Sequence, residues 1–116
     1  MRIVGTKNEG RLEVYYNNQW GTVCDDEFDG NDAMVACRQL GFNGSASVIS
    51  SSNIDDGIGL IVLDNLLCTG VEERLVECEH RGLGVENCDH SEDIGISCSI
   101  QNEPSKDISL YSYLFS

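Results

Sequence analysis

Residues 20–26, Trp-Gly-Thr-Val-Cys-Asp-Asp, bring together the end of an extended segment, a cysteine and two adjacent carboxylates. Before them, residues 12–16 alternate apolar and polar side chains, which is typical of a strand with one buried face. Asn17-Asn18 then tolerates the positive φ of a tight turn, and the chain returns toward Cys24. Residues 11–24 are therefore predicted to form a β-hairpin.

One main helix is predicted after this hairpin. Asn31 is a favourable N-cap residue, and apolar residues then recur at helical spacing as far as Leu40. Gly41 is expected to end the helix. The following segment, 43–57, is rich in Ser, Asn, Asp and Gly and is predicted to be a long loop.

The second half of the chain predicts three short elements. A continuous apolar run over 58–63 indicates a strand buried on both faces. Residues 72–78 are predicted to form one helical turn, and 94–98 alternate as a final strand. The composition then changes, so we expect a domain over 1–99 followed by a linker and tail over 100–116.

Composition limits the possible partners. The 116 residues suffice for one domain with a short tail, and 20 Asp and Glu against 7 Lys and Arg give a net charge of −13. Nucleic acid phosphates and anionic lipid surfaces repel such a charge, so we expect no nucleic acid specificity, and a cation or a basic partner is favoured. No apolar run reaches the ~18 residues of a membrane span, so no direct membrane insertion is expected.

The chain contains six cysteines, an even number in a small acidic chain, which indicates three disulfides and an extracellular protein. A zinc site would need short Cys-x-x-Cys pairs, whereas the closest cysteines lie ten positions apart. The start of the chain lacks the apolar core of a signal peptide, which suggests an excised fragment with an added Met1. The cysteines are Cys24, Cys37, Cys68, Cys78, Cys88 and Cys98.

The cysteines belong to a series of motifs in a fixed order. These are Gly-Arg-Leu-Glu-Val-Tyr-Tyr (10–16), Trp-Gly-Thr-Val-Cys-Asp-Asp (20–26), Val-Ala-Cys-Arg-Gln-Leu-Gly-Phe (35–42), Val-Leu-Asp-Asn (62–65) and Asn-Cys-Asp-His-Ser-Glu-Asp (87–93). The series resembles a scavenger receptor cysteine-rich (SRCR) domain of group A, the six-cysteine type, over residues 2–99.

The resemblance implies an α+β fold in which a curved antiparallel sheet cradles one main helix. It also implies the disulfide pairs Cys24–Cys88, Cys37–Cys98 and Cys68–Cys78. The sequence departs from the family pattern at three positions, where Phe28 and Leu83 replace the usual Trp and Ile94 replaces a small residue.

The resemblance further implies two cation sites. If Cys24 is bonded to Cys88, then Asp25 and Asp26 lie close to the loop that leads to Glu92, because a disulfide holds its two Cα atoms about 5.5 Å apart. Oxygen ligands suit Ca²⁺, and Mg²⁺ less well. The alternative is a solvated acidic face without an ion. The first expected site comprises Asp25, Asp26 and Glu92, and the second comprises Asp64, Asn65 and Asn87.

The function implied is that of a non-catalytic extracellular binding module in a secreted or cell-surface protein, itself multidomain or oligomeric. It would bind protein or polyanionic ligands through Ca²⁺. Residues 12–20 resemble a stretch that in one family member is associated with binding of bacteria and polyanions, which would make microbial surface components partners, but the alternation of these residues favours an ordinary hairpin. The alternative is a structural domain of a larger extracellular enzyme. No nucleophile–base pair is recognisable around His80 or His90, so catalysis is not expected. Asn43 begins an Asn-Gly-Ser glycosylation sequon.

Overall fold

The computed structural model describes residues 1–80 and 88–100. Over these residues the chain forms six strands, one α-helix and three short 3₁₀ turns. The strands are β1 (Arg2–Gly5), β2 (Glu9–Tyr16), β3 (Gln19–Val23), β4 (Ala46–Ile49), β5 (Ile61–Leu63) and β6 (Gly95–Cys98), and the helix is α1 (Gly30–Gln39). The turns are Ser51–Asn53, Leu75–Glu77 and His90–Glu92.

The strands form one curled sheet in the order β4-β6-β2-β3-β5, and β1 pairs with β2 beside this path. The pairings are antiparallel except for β3 with β5, which run parallel from Thr22 opposite Ile61. The expected α+β fold, an antiparallel sheet with one main helix, is therefore confirmed, except that β3 and β5 form a parallel pair.

The predicted hairpin is confirmed. Strands β2 and β3 pair in register from Glu13 opposite Thr22 to Tyr16 opposite Gln19. Asn17 and Asn18 form the turn with φ values of 56° and 67°, as the left-handed tolerance of Asn allows.

The helix begins two residues earlier than predicted. Asp29, not Asn31, is the N-cap: its side chain accepts from the backbone N–H groups of Asn31 and Asp32, and the Asp32 carboxylate accepts from the N–H of Asp29 in return. This reciprocal capping box satisfies more of the free N–H groups at the helix start than a single cap at Asn31 would.

The predicted loop over 43–57 is wrong in part, because it contains strand β4 and a 3₁₀ turn. Residues Ala46–Ile49 pair along their length with β6, from Ala46 opposite Cys98 to Ile49 opposite Gly95. The predicted strand over 58–63 is shorter than expected: Ile61–Leu63 is buried on both faces, whereas Ile58 is exposed. The helical turn over 72–78 is confirmed as Leu75–Glu77.

The core lies between the concave face of the sheet and the helix. It includes Leu12, Val23, Val35, Leu63 and Ile96, each with no more than 1% of its surface exposed. Two of the family departures, Phe28 and Ile94, are buried in the same cluster, and Leu83 lies outside the described residues. These substitutions thus alter packing in the core.

The three disulfides have the implied pairing. Cys24–Cys88 ties the end of β3 to the segment before β6, and Cys37–Cys98 ties the helix to the end of β6. Cys68–Cys78 closes a loop with a sequence separation of 10. No Cys among the described residues is free.

Candidate functional site

An acidic cluster lies where strand β3 ends. Asp25 and Asp26 follow Cys24 directly, and the backbone N–H of Asp25 donates to the carbonyl of Glu92 at 2.8 Å. One carboxylate oxygen from each of Asp25, Asp26 and Glu92 lies within 4.8 Å of the others. The structure therefore brings together the three residues expected at the first cation site, and we call them the acidic cluster.

Glu92 is fixed by the 3₁₀ turn that carries it. Asp89 caps this turn by accepting from the N–H of Ser91, and Glu92 accepts from the N–H of Asp89 at 3.2 Å. The Cys24–Cys88 disulfide and a bridge between Cys24 and Asp93 hold this turn against the end of β3. The side chain of Glu92 is consequently positioned by backbone contacts on both sides.

The two aspartates of the acidic cluster have different surroundings. Asp25 accepts a hydrogen bond at 3.2 Å from the hydroxyl of Ser51, and Ser51 lies in the 3₁₀ turn after β4. Partial desolvation and then the negative charges of Asp64, Asp25 and Glu27 raise the pKa of Asp26. A cation between these carboxylates would remove this repulsion.

Asp64, which is expected at the second cation site, lies beside Asp26 of the first. It is fully buried after β5, and one of its oxygens lies within 4.8 Å of an Asp26 oxygen. Both carboxylates also approach the sulfur of Cys88, Asp26 at 3.5 Å and Asp64 at 3.4 Å. The sequence does not indicate this adjacency, because it depends on the parallel pairing of β3 with β5.

Of the other two residues of the second expected site, the structure describes Asn65 alone. Asn65 has a φ of 55° and its amide donates to Glu27 Oε2 at 3.4 Å. Asn87 lies outside the described residues. The second cation site consequently remains a prediction.

A polar pair formed by the half-buried His90 and the buried Asp93 anchors the turn that carries Glu92. The Nδ1 atom of His90 lies 2.9 Å from Asp93 Oδ2, and its Nε2 atom lies 2.9 Å from the carbonyl of Gly59. Asp93 is 1% exposed and also accepts from the N–H of Gly57 at 2.7 Å. Burial alone would lower the pKa of His90, but the hydrogen bonds with Gly59 and Asp93 raise it overall.

A second polar group lies on the outer face of the sheet. The Arg2 guanidinium stacks over the Trp20 ring at 4.1 Å, and Tyr15 packs edge-on against the same ring. Glu13, which is buried, accepts from Arg2 and also from Arg11. These contacts stabilise β1 against the hairpin and make Trp20 part of a surface cluster.

Comparisons with known proteins agree with this architecture. The scavenger receptor cysteine-rich domain profile matches residues 4–99. Lysyl oxidase homolog 2A of Danio rerio is 50% identical over 107 residues, which cover 90% of this chain and 14% of that protein. Macrophage receptor MARCO of Mus musculus is 48% identical over 99 residues, covering 85% of this chain and 18% of that protein.

Two solved structures share the fold. The SRCR domain of mouse MARCO, in a dimeric form, superposes with a TM-score of 0.74 at 49% identity, covering 85% of this chain and 94% of that one. The third SRCR domain of murine neurotrypsin gives a TM-score of 0.77 at 44% identity, covering 87% of this chain and 96% of that one. Among the described residues, no helix has the length and apolarity that a membrane span requires. The chain belongs to the scavenger receptor cysteine-rich domain family and is an extracellular module.

Proposed function

We propose that this domain is a non-catalytic binding module that engages protein or polyanionic ligands through a Ca²⁺ ion held by Asp25, Asp26 and Glu92. The observation that carries the proposal is the approach of three carboxylates to within 4.8 Å of one another. Like charges so close are unfavourable without a counterion, and oxygen-only ligands suit a hard divalent cation. Mg²⁺ fits less well because it requires near-ideal octahedral geometry.

The chemistry of the donor set supports Ca²⁺ over zinc. The two sulfur atoms beside the carboxylates belong to the Cys24–Cys88 disulfide, so neither is available as a thiolate ligand. The carboxylates come from two segments joined by that disulfide and by the hydrogen bond from Asp25 to Glu92. The acidic cluster is thus held in place and presents only oxygen ligands to an ion.

The same residues explain how a chain of net charge −13 could bind an anion. A bound Ca²⁺ would supply positive charge that a ligand carboxylate, sulfate or phosphate can meet. Without the ion, the carboxylates of Asp25, Asp26 and Glu92 present a surface suited to a basic partner. We expect modest affinity for each domain, so that several copies in one parent protein would add avidity.

Calorimetric titration of CaCl₂ into chelator-treated protein tests the proposal. We expect saturable binding and a rise in melting temperature with millimolar Ca²⁺. The triple variant Asp25→Ala/Asp26→Ala/Glu92→Ala should lose both. A control with the same net charge, Asp55→Ala/Glu73→Ala/Glu79→Ala, removes exposed carboxylates outside the acidic cluster and should retain both. Equal binding by the two triple variants would exclude this site.

A second candidate is a structural domain of a larger extracellular enzyme. It is favoured by the 50% identity to lysyl oxidase homolog 2A, of which this chain matches only 14%. In that case the acidic cluster would bind no ligand, and its triple variant would leave ligand capture by the parent protein unchanged. Ca²⁺-dependent capture of a sulfated polysaccharide by the isolated chain would argue against this alternative.

A further inference from the structure

An exposed asparagine lies in the turn between α1 and β4. Asn43 follows Phe42, whose N–H donates to the carbonyl of Cys37 and so ends the helix. Asn43 borders a shallow groove of about 400 Å³ that is also lined by Met34, Arg38 and Phe42. Met34 is 44% exposed there, so the groove has an apolar floor open to solvent.

Asn43 is also the first residue of Asn43-Gly44-Ser45, which is the one Asn-x-Ser/Thr triplet in the 116 residues. Such a triplet is the acceptor for N-linked glycosylation in proteins that enter the secretory pathway. The three disulfides of this domain are typical of proteins that enter this pathway, and so is the family to which the domain belongs. The exposure of Asn43 and the triplet are independent observations, and both support Asn43 as a glycosylation site.

In the folded domain, however, the triplet is tied to the residue that follows the last strand, β6. Gly44 N–H donates to the Ser99 carbonyl at 2.8 Å, and Ser99 N–H donates to the Ser45 carbonyl at 3.0 Å. The Ser45 and Ser99 hydroxyls lie 2.9 Å apart. A glycosyl transferase must hold the hydroxyl of Ser45 itself, so these contacts compete with it.

We propose that Asn43 carries an N-linked glycan that is added before β4 pairs with β6, and that its first sugar covers the groove over Met34. In the transfer, Asn43 Nδ2 attacks the anomeric carbon of a lipid-diphosphate-linked oligosaccharide. The new bond joins that nitrogen to the carbon, the bond from the carbon to the diphosphate oxygen breaks, and the lipid diphosphate leaves. The amide loses one proton to a carboxylate of the transferase.

The position of the glycan leaves the acidic cluster accessible. Asn43 follows the C-terminal end of α1, whereas Asp25 and Asp26 precede its N-terminal end. Ten helical residues separate the two ends by about 15 Å. The first sugar at Asn43 would accordingly lie at the opposite end of the helix from Asp25 and Asp26.

Secretion of the full chain from a eukaryotic host tests the modification. We expect one glycan that peptide N-glycosidase F removes, and digestion in ¹⁸O water should convert Asn43 to an aspartate that carries the isotope label. Asn43→Gln and Ser45→Ala should abolish the glycan, whereas Ser45→Thr, which keeps both the triplet and the hydroxyl, should retain it. Secreted protein without glycan in all four forms would overturn the proposal.

The order of events is tested with unglycosylated chain, a purified transferase and its lipid-linked donor. We expect the reduced, unfolded chain to be glycosylated at least about tenfold faster than the oxidised, folded chain, because the folded chain must first open locally. Equal rates would show that the pairing with Ser99 does not limit access.

The covering of the groove is tested by oxidation of Met34 with hydrogen peroxide. We expect slower oxidation of Met34 in protein that retains a single N-acetylglucosamine after endoglycosidase treatment than in Asn43→Gln protein. Met1, which packs elsewhere against the core, serves as the internal reference and should oxidise at the same rate in both. Equal Met34 rates would contradict a sugar lying over the groove.

Discussion

Asp32 connects the start of the helix to the small disulfide loop through one buried carboxylate. It is fully buried, and its two oxygens accept from the N–H of Asp29 and the N–H of Cys68, each at 2.7 Å. Burial raises its pKa to about 6, although the two backbone hydrogen bonds act in the opposite direction. The residue thus holds together two elements that are far apart in sequence.

Replacing Asp32 by Ala should destabilise the domain by about 2–3 kcal/mol, because the buried N–H of Cys68 loses its partner. Asn31→Ala, at the exposed neighbouring position, should change the free energy of unfolding by less than about 0.5 kcal/mol. Urea unfolding of both variants measures the difference. An Asp32→Ala variant as stable as the Asn31→Ala control would contradict this role.

The raised pKa of Asp32 predicts a pH dependence of stability. Between the ordinary value of 3.8 and about 6, the folded protein keeps a proton that the unfolded chain releases. The contribution of Asp32 is therefore greatest at low pH and decreases as the pH rises through about 6. We expect the melting-temperature advantage of the wild type over Asp32→Asn to grow from pH 7 to pH 5.

His90 should keep its proton to a higher pH than a freely solvated histidine does. Its folded pKa is raised above 6.5, so the stability that its charged form contributes is complete below pH 6.5 and is lost as the pH rises through the folded value. An NMR titration of the imidazole signals measures the pKa directly. The Asp93→Asn variant, if folded, should show a lower pKa for His90, and an unchanged value would contradict the pairing.

Some contacts of single residues could be predicted from the sequence, and others could not. The sequence predicts Asn31 as the helix cap, whereas Asp29 is used because Asp32 can answer it with a second hydrogen bond. The grouping of Asp25 with Asp26 follows from their adjacency, and that of Glu92 from the resemblance. The approach of Asp64 to Asp26 depends on which strands are neighbours, and local spacing does not encode that.

Among the elements, strand β4 shows how tertiary pairing can override composition. Its residues, Ala-Ser-Val-Ile, include the strand-favouring Val and Ile but stand in a stretch rich in Ser, Asn and Gly, which predicts a loop. They form a strand because β6 offers a complete edge from Gly95 to Cys98. The hairpin of β2 and β3, by contrast, carries its own alternation and turn residues and was predictable.

The parallel pair of β3 and β5 depends on a close approach at Gly21. A Cβ at this position would lie 2.4 Å from Val62 Cγ2 and 2.8 Å from the carbonyl of Leu60. Gly21→Ala should therefore destabilise the domain by about 1–3 kcal/mol. Thermal melting of the variant gives the measurement.

Gly30 provides the matched control for that substitution. It is the first residue of α1, and a Cβ there would meet nothing within 4 Å. Gly30→Ala should leave stability unchanged or raise it by about 0.5–1 kcal/mol, since Ala restricts the unfolded chain and favours the helix. Equal losses in the two variants would mean that close packing at Gly21 is not the cause.

For the whole molecule, the disulfides should contribute according to the loops they close. Cys37–Cys98 has a sequence separation of 61 and Cys68–Cys78 one of 10. Loop-closure entropy predicts a loss of about 4 kcal/mol for the Cys37→Ala/Cys98→Ala pair and about 3 kcal/mol for the Cys68→Ala/Cys78→Ala pair. Guanidinium unfolding of the two variants tests this order, and the reverse order would show that packing outweighs chain entropy.

The overall architecture could be predicted because the family resemblance implied the disulfide pairing, which local sequence patterns do not determine. Composition and spacing indicate a disulfide-rich extracellular domain, but they leave the pairing of six cysteines open. The family motifs implied the three pairs that the structure contains. Strand β1, with its short Arg2–Gly5 span, was not predicted, because its stability comes from pairing with β2 and from the stacking of Arg2 on Trp20.

The disulfide beneath the acidic cluster has a consequence for reduction of the domain. Carboxylates of Asp26 and Asp64 lie 3.5 Å and 3.4 Å from the sulfur of Cys88. A thiolate that attacks this sulfur must approach against both negative charges, and an anionic reductant such as glutathione carries further negative charge. The bond that assembles the acidic cluster is thereby electrostatically protected by the residues it brings together, and raising the salt concentration should weaken that protection.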